Sequence, residues 1–539
     1  MERAIPIPAK FGALALRAAA LTLILSPCLP NAAAAESVYR RGASGDAATM
    51  DPQKTATVPE SDVLLDLFEP LLSYDAKGEL IPGAAESWTV SADGTVYTFK
   101  LREEKWSNGD PLRAGDFVFA LRRLVDPATA AQYANLLYPI KNAEAVNQKK
   151  MAIETLGAKA IDERTLEIAL ERPTPYILGL LAHQTTAPVD EASVKKFGDA
   201  FVQPANLATN GPYMLAEFTP NDKTVLVKNP NFHDTANVKI DKEIFLPLED
   251  RAAALRRFQA GEIDSYADAP ADQIKFIREN LKDELKISPL LGTYYFAFNV
   301  TKKPFDDPRV RNALSMAVDR EFLAEQIWGG AMLPGYSFVP PGIANYGQPV
   351  FMDFKGLSSI EREDKARALL KEAGYGPGGK PLKIEIRFNT SENHKNTSVA
   401  LAEMWKPLGV EATFVNTDIK THYALLQNGG DYDLARAGWN GDYSDPQNFL
   451  FLAIGSNKGL NYSRYANPEY DALMAKAEGE RDLAARAKIL AAAEVILLRD
   501  QPIMPLLYYS SKNLISKKLM GWQPNILDRH LARYLSIAP

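Results

Sequence analysis

Residues 362 to 438 alternate between helical and strand patterns, and this alternation constrains the fold more than any other feature of the chain. The predicted elements are a helix at 363–373, a strand at 382–388, a helix at 396–409, a strand at 410–415, a helix near 419–427 and a strand at 432–438. Strands that alternate with helices in this way form parallel sheets with right-handed crossovers. The sequence therefore predicts an α/β fold.

Polar side chains follow two of these strands. His394 comes shortly after the first strand, and the stretch 432–449, "YDLARAGWNGDYSDPQNF", places Arg436, Trp439, Asp442 and Asp445 at the end of another. In open parallel sheets, ligands bind outside the carboxyl ends of the strands. The two groups of side chains are therefore predicted to line one ligand-binding crevice.

Each of these residues also has a purely structural interpretation. Arg436 could pair with a surface carboxylate, and Trp439 could belong to the core. Gly438 and Gly441 favour a binding site when the residues are taken together, because a missing side chain lets another backbone approach closely. Binding is therefore the favoured hypothesis for the group as a whole.

The chain lacks the familiar enzyme signatures. The loop "GYGPGGKP" (374–381) resembles nucleotide-binding loops, but a helix precedes it and a strand follows it, which is the wrong order for phosphate binding. The five histidines have no metal-ligand spacing, so neither a metal nor a cofactor is expected. Asp442 and Asp445 are the one carboxylate pair that could serve a secreted hydrolase, and this remains the alternative.

The first 35 residues have the pattern of a secretory signal peptide. A basic region with Arg3, Lys10 and Arg17 precedes the apolar run "AAALTLILS" and the small-residue segment "NAAAAES". Cleavage is predicted after Ala35. Cys28, the only cysteine, lies in this segment, and the adjacent Pro27 disfavours a lipid anchor there, so an exported chain without disulfides is expected. The net charge of −6 and the lack of a basic block argue against a nucleic-acid partner.

Several motifs spread over nearly the whole chain resemble one protein family. They are "VPESDVLLDLFEPLLSYD" (58–75), "LREEKWSNGDPLRAGDFVFALRRLVDP" (101–127), "QPANLATNGPYML" (203–215), "TYYFAFNVTKKPFDDPRVRNALSMAVDRE" (293–321) and "ARAGWNGDYSDP" (435–446). The chain is similar in these motifs to the periplasmic oligopeptide-binding proteins of ABC-type importers, solute-binding family 5. The resemblance implies a periplasmic, monomeric receptor that serves an inner-membrane permease.

The resemblance also implies a two-lobed fold with an extra domain inserted in the first lobe, the type II, cluster C form of the Venus flytrap. Lobe 1 is expected to comprise 36–68, 193–291 and 510–539. The inserted domain is expected at 69–192, and lobe 2 at 292–509.

Ligand-binding roles are likewise implied by the matching motif positions. Asp442 matches the aspartate that pairs with the ammonium group of a peptide, while Gly438 and Trp439 match positions that offer main-chain partners. Arg436 and His394 match positions that neutralise the carboxyl end. Further contacts are implied for Tyr133, for the backbone of Val58 and, on a less certain local match, for Tyr266.

Two departures from the family pattern stand out. Close relatives carry two bridged cysteines where this chain has Gly292 and Asn440, and a second arginine is missing near Gln427. The preferred peptide length is therefore open. Relatives also bind haem, nickel, glutathione or murein peptides. Asp442 favours a ligand with a free amine, and murein peptide remains an alternative to ordinary oligopeptides.

Overall fold

A computed structural model describes residues 36–539, except for 56, 418, 442, 458 and 539 and the side chains of 419 and 420. The predicted signal peptide at 1–35, with Cys28, lies outside the described residues, and so does Asp442. Within the described part of the chain, no helix is both long and apolar enough to cross a membrane.

Helices and strands occur throughout the described chain. The strands are β1 Val38–Ala43, β2 Leu72–Tyr74, β3 Leu80–Pro82, β4 Ala85–Val90, β5 Val96–Leu101, β6 Ala158–Asp162, β7 Thr165–Ala169, β8 Tyr213–Thr219, β9 Lys223–Lys228, β10 Lys242–Pro247, β11 Ser265–Tyr266, β12 Leu285–Phe298, β13 Met332–Pro334, β14 Leu382–Asn389, β15 Val410–Thr417, β16 Leu434–Asn440, β17 Ile503–Ile515, β18 Leu519–Met520 and β19 Ser536–Ile537. The helices are α1 Val58–Leu67, α2 Ala114–Val125, α3 Ala143–Asn147, α4 Ile177–Leu180, α5 Glu191–Phe197, α6 Arg251–Gln259, α7 Ile274–Asn280, α8 Pro308–Met316, α9 Arg320–Phe322, α10 Ser359–Glu372, α11 Glu392–Trp405, α12 Ile419–Gln427, α13 Gln447–Leu450, α14 Pro468–Gly479 and α15 Leu483–Asp500.

The predicted alternation is confirmed. Strands β14, β15 and β16 are parallel neighbours in the order β15-β14-β16, and α11 and α12 connect them. Helix α10 begins at a capping box formed by Ser358 and Glu361, and a left-handed Gly374 follows its end. Helix α11 begins at Glu392, earlier than predicted, so that His394 lies in its first turn.

One sheet extends through most of the described chain. Its strand order is β15-β14-β16-β12-β17-β11-β1-β10-β9-β8, and β13 pairs with β17. A separate sheet, β4-β5-β7-β6, lies within the region predicted as the inserted domain. The alternating apolar patterns at 94–103, 164–171 and 223–229 also predict strands, and the structure forms them as β5, β7 and β9.

The two longest strands, β12 and β17, pair with each other through the middle of the large sheet. Their register shifts between Pro289 and Thr293. The predicted boundaries between the two lobes, at 291/292 and 509/510, fall at this irregularity, and they remain predictions. Gly292 lies opposite Asn440 in the β12–β16 register, so the two positions that carry cysteines in close relatives face each other.

The buried apolar side chains form three clusters. One contains residues from 291 to 507, a second joins the 39–245 region to 515–535, and a smaller third contains residues from 254 to 331 together with Leu514. The carboxyl end of β16 lies against the first of these clusters.

Candidate ligand-binding site

Arg436 is the centre of a polar cluster in β16, between β14 and β12. Its side chain is buried, with the residue 6% exposed. Nη1 donates to Asn389 Oδ1 at 3.1 Å and to the Tyr423 hydroxyl at 3.0 Å. Nη2 donates to the Tyr509 hydroxyl at 2.8 Å. The guanidinium also lies 4.8 Å from the ring centroid of Tyr294. Strands and helices from four parts of the chain thus fix this one cation.

No carboxylate among the described residues pairs with Arg436, and its Nε has no hydrogen-bond partner there. A guanidinium stays charged at all physiological pH values. Burying such a charge costs several kcal/mol unless an opposite charge compensates it. The cluster is therefore suited to receive the anionic group of a ligand.

His394 joins the same cluster from α11. Its Nδ1 lies 3.2 Å from the Tyr294 hydroxyl, and its ring centroid is 5.5 Å from that of Tyr294. Burial, followed by the charge of Arg436 and the proximity of His422, lowers the pKa of His394 to about 3. At neutral pH the ring is uncharged, so the positive charge of the cluster belongs to Arg436. The role of His394 towards a carboxyl group stays a prediction.

Gly438 and Trp439 follow Arg436 along β16. A side chain at position 438 would place its Cβ 2.5 Å from the Tyr509 hydroxyl, and one at Gly441 would come within 2.8 Å of Leu291. Side chains of the protein thus occupy the space where a Cβ would lie at these two glycines, and the approach of a ligand backbone to them stays a prediction. The indole of Trp439 donates to Asn448 Oδ1 at 2.8 Å and packs edge-on against Phe451.

Asp445 is not free to act as a catalytic carboxylate. Arg486 binds it through two hydrogen bonds of 2.7 and 2.8 Å, and both residues are almost fully buried. A bidentate pair of this kind occupies both oxygens of the carboxylate. The geometry thus argues against the hydrolase hypothesis, which required Asp445 together with Asp442.

The remaining predicted site residues lie on other elements. Val58 is the first residue of α1 and is 69% exposed. The ring of Tyr133 lies 5.3 Å from that of His183. Tyr266 is fully buried in the third apolar cluster, where its hydroxyl donates to the Leu248 carbonyl at 3.0 Å. The structure thus brings Arg436 and His394 together through their shared contacts with Tyr294, and the roles of the other three residues stay predictions.

Sequence reasoning missed the phenols that surround Arg436. Tyr294 lies in β12, Tyr423 in α12 and Tyr509 in β17, so more than 200 residues of chain separate the first from the last. Each belongs to a segment that reads as an ordinary apolar strand or helix. The register of β12 against β16 and β17 brings Tyr294 and Tyr509 to Arg436, and α12 contributes Tyr423.

A cavity of about 780 Å³ lies beside the loop that follows β16. Tyr176, Tyr443 and Ser444 are among the residues that line it, and the two tyrosine rings stack with centroids 4.9 Å apart. The residues that line the cavity come from all three regions predicted as lobe 1, the inserted domain and lobe 2.

The family model for "bacterial extracellular solute-binding proteins, family 5 Middle" matches residues 79–461. The chain belongs to this family. It is 40% identical over 482 residues to the periplasmic murein peptide-binding protein MppA of Escherichia coli K12, with 89% of each chain covered. It is 37% identical over 489 residues to the periplasmic oligopeptide-binding protein OppA of the same organism, again with 89% of each covered.

Solved structures confirm the two-lobed α/β fold. The unliganded open form of MppA superposes with a TM-score of 0.88 at 38% identity, covering 94% of this chain and 98% of that one. A second structure of E. coli MppA gives 0.73 at the same identity, with 94% and 99% covered. Haemophilus influenzae OppA in complex with the peptide RPPGFSPFR gives 0.71 at 36% identity, with 94% and 99% covered. The chain thus superposes more closely on the MppA structure that is described as unliganded and open than on the other one.

Proposed function

We propose that this family 5 protein is a periplasmic receptor that captures short peptides between its lobes and delivers them to an ABC permease. The observation that carries the proposal is the buried guanidinium of Arg436, which has no carboxylate partner among the described residues and three phenols around it. A ligand carboxylate would compensate this charge. Solute-binding proteins of this family act in transport, and the Asp445–Arg486 pair supports a receptor rather than a hydrolase.

The other end of the ligand is assigned to Asp442 by the "GWNGDY" motif. A carboxylate and an ammonium about 4 Å apart attract by roughly 4 kcal/mol at an effective dielectric near 20. Removing one partner of a buried pair costs about 3–5 kcal/mol, so affinity would fall on the order of 100-fold or more. Main-chain contacts from Gly438 and Trp439 are independent of peptide sequence, as a receptor of broad specificity requires.

Calorimetry of the mature protein tests this function, after unfolding and refolding to remove any carried ligand. The probe is an Ala- and Lys-rich tripeptide in three forms: free, N-acetylated and C-amidated. We expect tight binding of the free form, and at least a tenfold loss for each modified form because each modification removes one terminal charge. Equal affinity for all three forms, or no binding, would contradict recognition of peptide ends.

The variant Asp442→Asn tests the ammonium site by itself. We expect the variant to bind the free tripeptide as weakly as the wild type binds the N-acetylated one, because both lack the same ion pair. Asp222→Asn, at an exposed loop position, is the matched control and should leave affinity unchanged. Undiminished binding by the Asp442 variant would refute this assignment.

Murein tripeptide is the second candidate ligand, favoured by the 40% identity to MppA and by the close superposition on its open form. Competition calorimetry with murein tripeptide against the Ala- and Lys-rich peptide ranks the two. At least tenfold tighter binding of the murein tripeptide would assign the receptor to wall peptides.

We also propose that the chain is exported as a monomer after cleavage behind Ala35, without a lipid on Cys28. The small residues before position 36 and the position of Pro27 support this. Mass spectrometry of the protein from a periplasmic extract should give a mature chain that begins at Glu36. A lipid-modified Cys28 at the amino terminus would contradict it.

A further inference from the structure

Three loops that contribute nothing to the Arg436 cluster bring together Glu69, Glu104 and His233. Glu69 follows the end of α1, Glu104 lies between β5 and α2, and His233 lies between β9 and β10. Their ligand atoms, two carboxylate oxygens and an imidazole nitrogen, all lie within 4.8 Å of one another. We refer to these three residues as the carboxylate–imidazole cluster.

Glu69 is well satisfied in this cluster. Arg533 Nη1 donates to its Oε1 at 2.6 Å, and His233 Nε2 lies 3.0 Å from its Oε2. Arg533 also donates to the Ser73 hydroxyl at 2.8 Å. One guanidinium therefore compensates one carboxylate.

Glu104 is the anomaly. The residue is 7% exposed, and neither of its carboxylate oxygens has a hydrogen-bond partner among the described residues. Its Oε1 nevertheless points into the cluster, 3.7 Å from His233 Nε2. A buried polar group without partners requires an explanation, and a bound ion is one of the few available.

We propose that Glu69, Glu104 and His233 bind a divalent first-row transition-metal ion, with Zn²⁺ as the probe. The donor set of one imidazole nitrogen and two carboxylate oxygens suits such ions better than Ca²⁺ or Mg²⁺, which take oxygen ligands alone. Bonds of about 2.0–2.2 Å to one ion place the ligand atoms some 3.3 Å from one another, close to the 3.0 and 3.7 Å observed.

The surroundings are compatible with an ion. The positive charge of Arg533 is held at Glu69 Oε1, so Oε2 remains for the metal. The His233 side chain is 25% exposed, which supplies an entry path and room for a water molecule as a fourth ligand. Two buried carboxylates with one guanidinium have a net charge of −1, so a divalent ion brings the group to +1.

The ion would join segments that are far apart in the chain. Glu69 and Glu104 belong to the region predicted as the inserted domain, whereas His233 belongs to the region predicted as lobe 1. An ion that binds only the folded chain stabilises it by mass action. For a chain of this length, Zn²⁺ at 100 times its Kd should raise the midpoint of thermal unfolding by about 2–3 °C.

The test is Zn²⁺ titration of the EDTA-treated mature protein by calorimetry, with bound metal counted by mass spectrometry. We expect one ion per chain in the wild type, and at least a tenfold loss of affinity in Glu104→Gln and in His233→Asn. Glu104→Gln preserves the shape of the side chain, and circular dichroism with tripeptide affinity checks that both variants are folded. Because peptide binding is measured separately, failure of the metal site would leave the proposed function untouched.

His530 provides the matched control. Its Nε2 lies 3.0 Å from Asp528, so it forms a histidine–carboxylate pair at another place in the structure. His530→Asn should leave Zn²⁺ affinity and the thermal shift unchanged. The proposal is overturned if the wild type does not bind Zn²⁺, or if it binds with the same affinity in the Glu104 and His233 variants, which would indicate adventitious surface binding.

Discussion

At the scale of single residues, the Arg436 cluster depends on the absence of a side chain at position 438. The Tyr509 hydroxyl occupies the space where a Cβ would lie and reaches Arg436 at 2.8 Å. The backbone of Gly438 is not in the left-handed region, so the constraint is steric contact rather than conformation.

Gly438→Ala should therefore displace the Tyr509 ring and destabilise the protein by about 1–3 kcal/mol, the usual cost of overpacking. The additional substitution Tyr509→Phe removes the atom that would clash, so the double variant should lose less than the sum of the two single variants. Urea denaturation of the four proteins in this cycle measures the coupling. Gly115→Ala, in α2 with no atom within 4 Å of the new Cβ, should instead be neutral or stabilise by up to about 1 kcal/mol.

An additive result would mean that the two side chains do not meet.

The residues around Arg436 also show how much of the site the sequence can predict. Arg436 and Gly438 were predicted as site residues from one short motif, because that motif contains both of them. Tyr509 was not predicted as a site residue. An alternating strand pattern predicts which residues share a face of the sheet, but not which distant strand lies beside them.

At the scale of elements, helix α15 holds the segment 336–346 in place through one buried carboxylate. Glu494 accepts hydrogen bonds from the amides of Phe338 and Val339 at 2.9 and 2.8 Å, and the Tyr346 hydroxyl donates to it as well. The same segment contacts the loop between β16 and α13, where the Ala344 amide donates to the Ser444 hydroxyl at 2.9 Å.

Burial raises the pKa of Glu494 to about 7, above the value of about 4.5 expected in the unfolded chain. Between these values the folded protein binds the proton more strongly, so this group's contribution to stability falls as pH rises from 4.5 to 7. Glu494→Gln has no such titration. The stability of the wild type relative to this variant should fall by about 1–3 kcal/mol over that range, as measured by urea denaturation at pH 4.5, 5.5 and 7.

Comparing each variant with the wild type cancels the titration of other groups, among them the buried histidines. Glu411→Gln, an exposed partner of Lys383, is the control and should give a difference that does not change over the same range. A constant difference for Glu494→Gln would show that Glu494 ionises alike in both states.

The elements themselves were largely predictable from the sequence. Periodicity identified β14, β15 and β16 and their helices, because each repeats a strong apolar pattern. It did not identify the carboxylate–imidazole cluster, because Glu69, Glu104 and His233 lie on separate loops and the spacing of histidines alone contains no sign of it. Nor could a pattern reveal that Asp445 belongs to Arg486, 41 residues further along.

At the scale of the whole molecule, the structure superposes well on an unliganded open form. It includes contacts between the region predicted as the inserted domain and the region predicted as lobe 2. Arg481 donates to the carbonyls of Ala92 and, at 3.4 Å, of Ser91. Arg172 lies 3.7 Å from Glu478 on the same side. In a receptor that closes on its ligand, contacts made in the open state set part of the free energy that ligand binding must overcome.

Arg481→Ala should therefore shift the ligand-free protein towards closure and tighten tripeptide binding. An exposed interaction of this kind contributes about 0.2–1 kcal/mol, so the expected gain in affinity is at most about fivefold. Small-angle scattering of the ligand-free variant should give a smaller radius of gyration than that of the wild type. Arg309→Ala, which removes a surface pair with Asp307 inside the predicted lobe 2, should change neither quantity. Weaker binding by the Arg481 variant would mean that this contact is stronger in the closed state than in the open one, which would reverse its role in the closing motion.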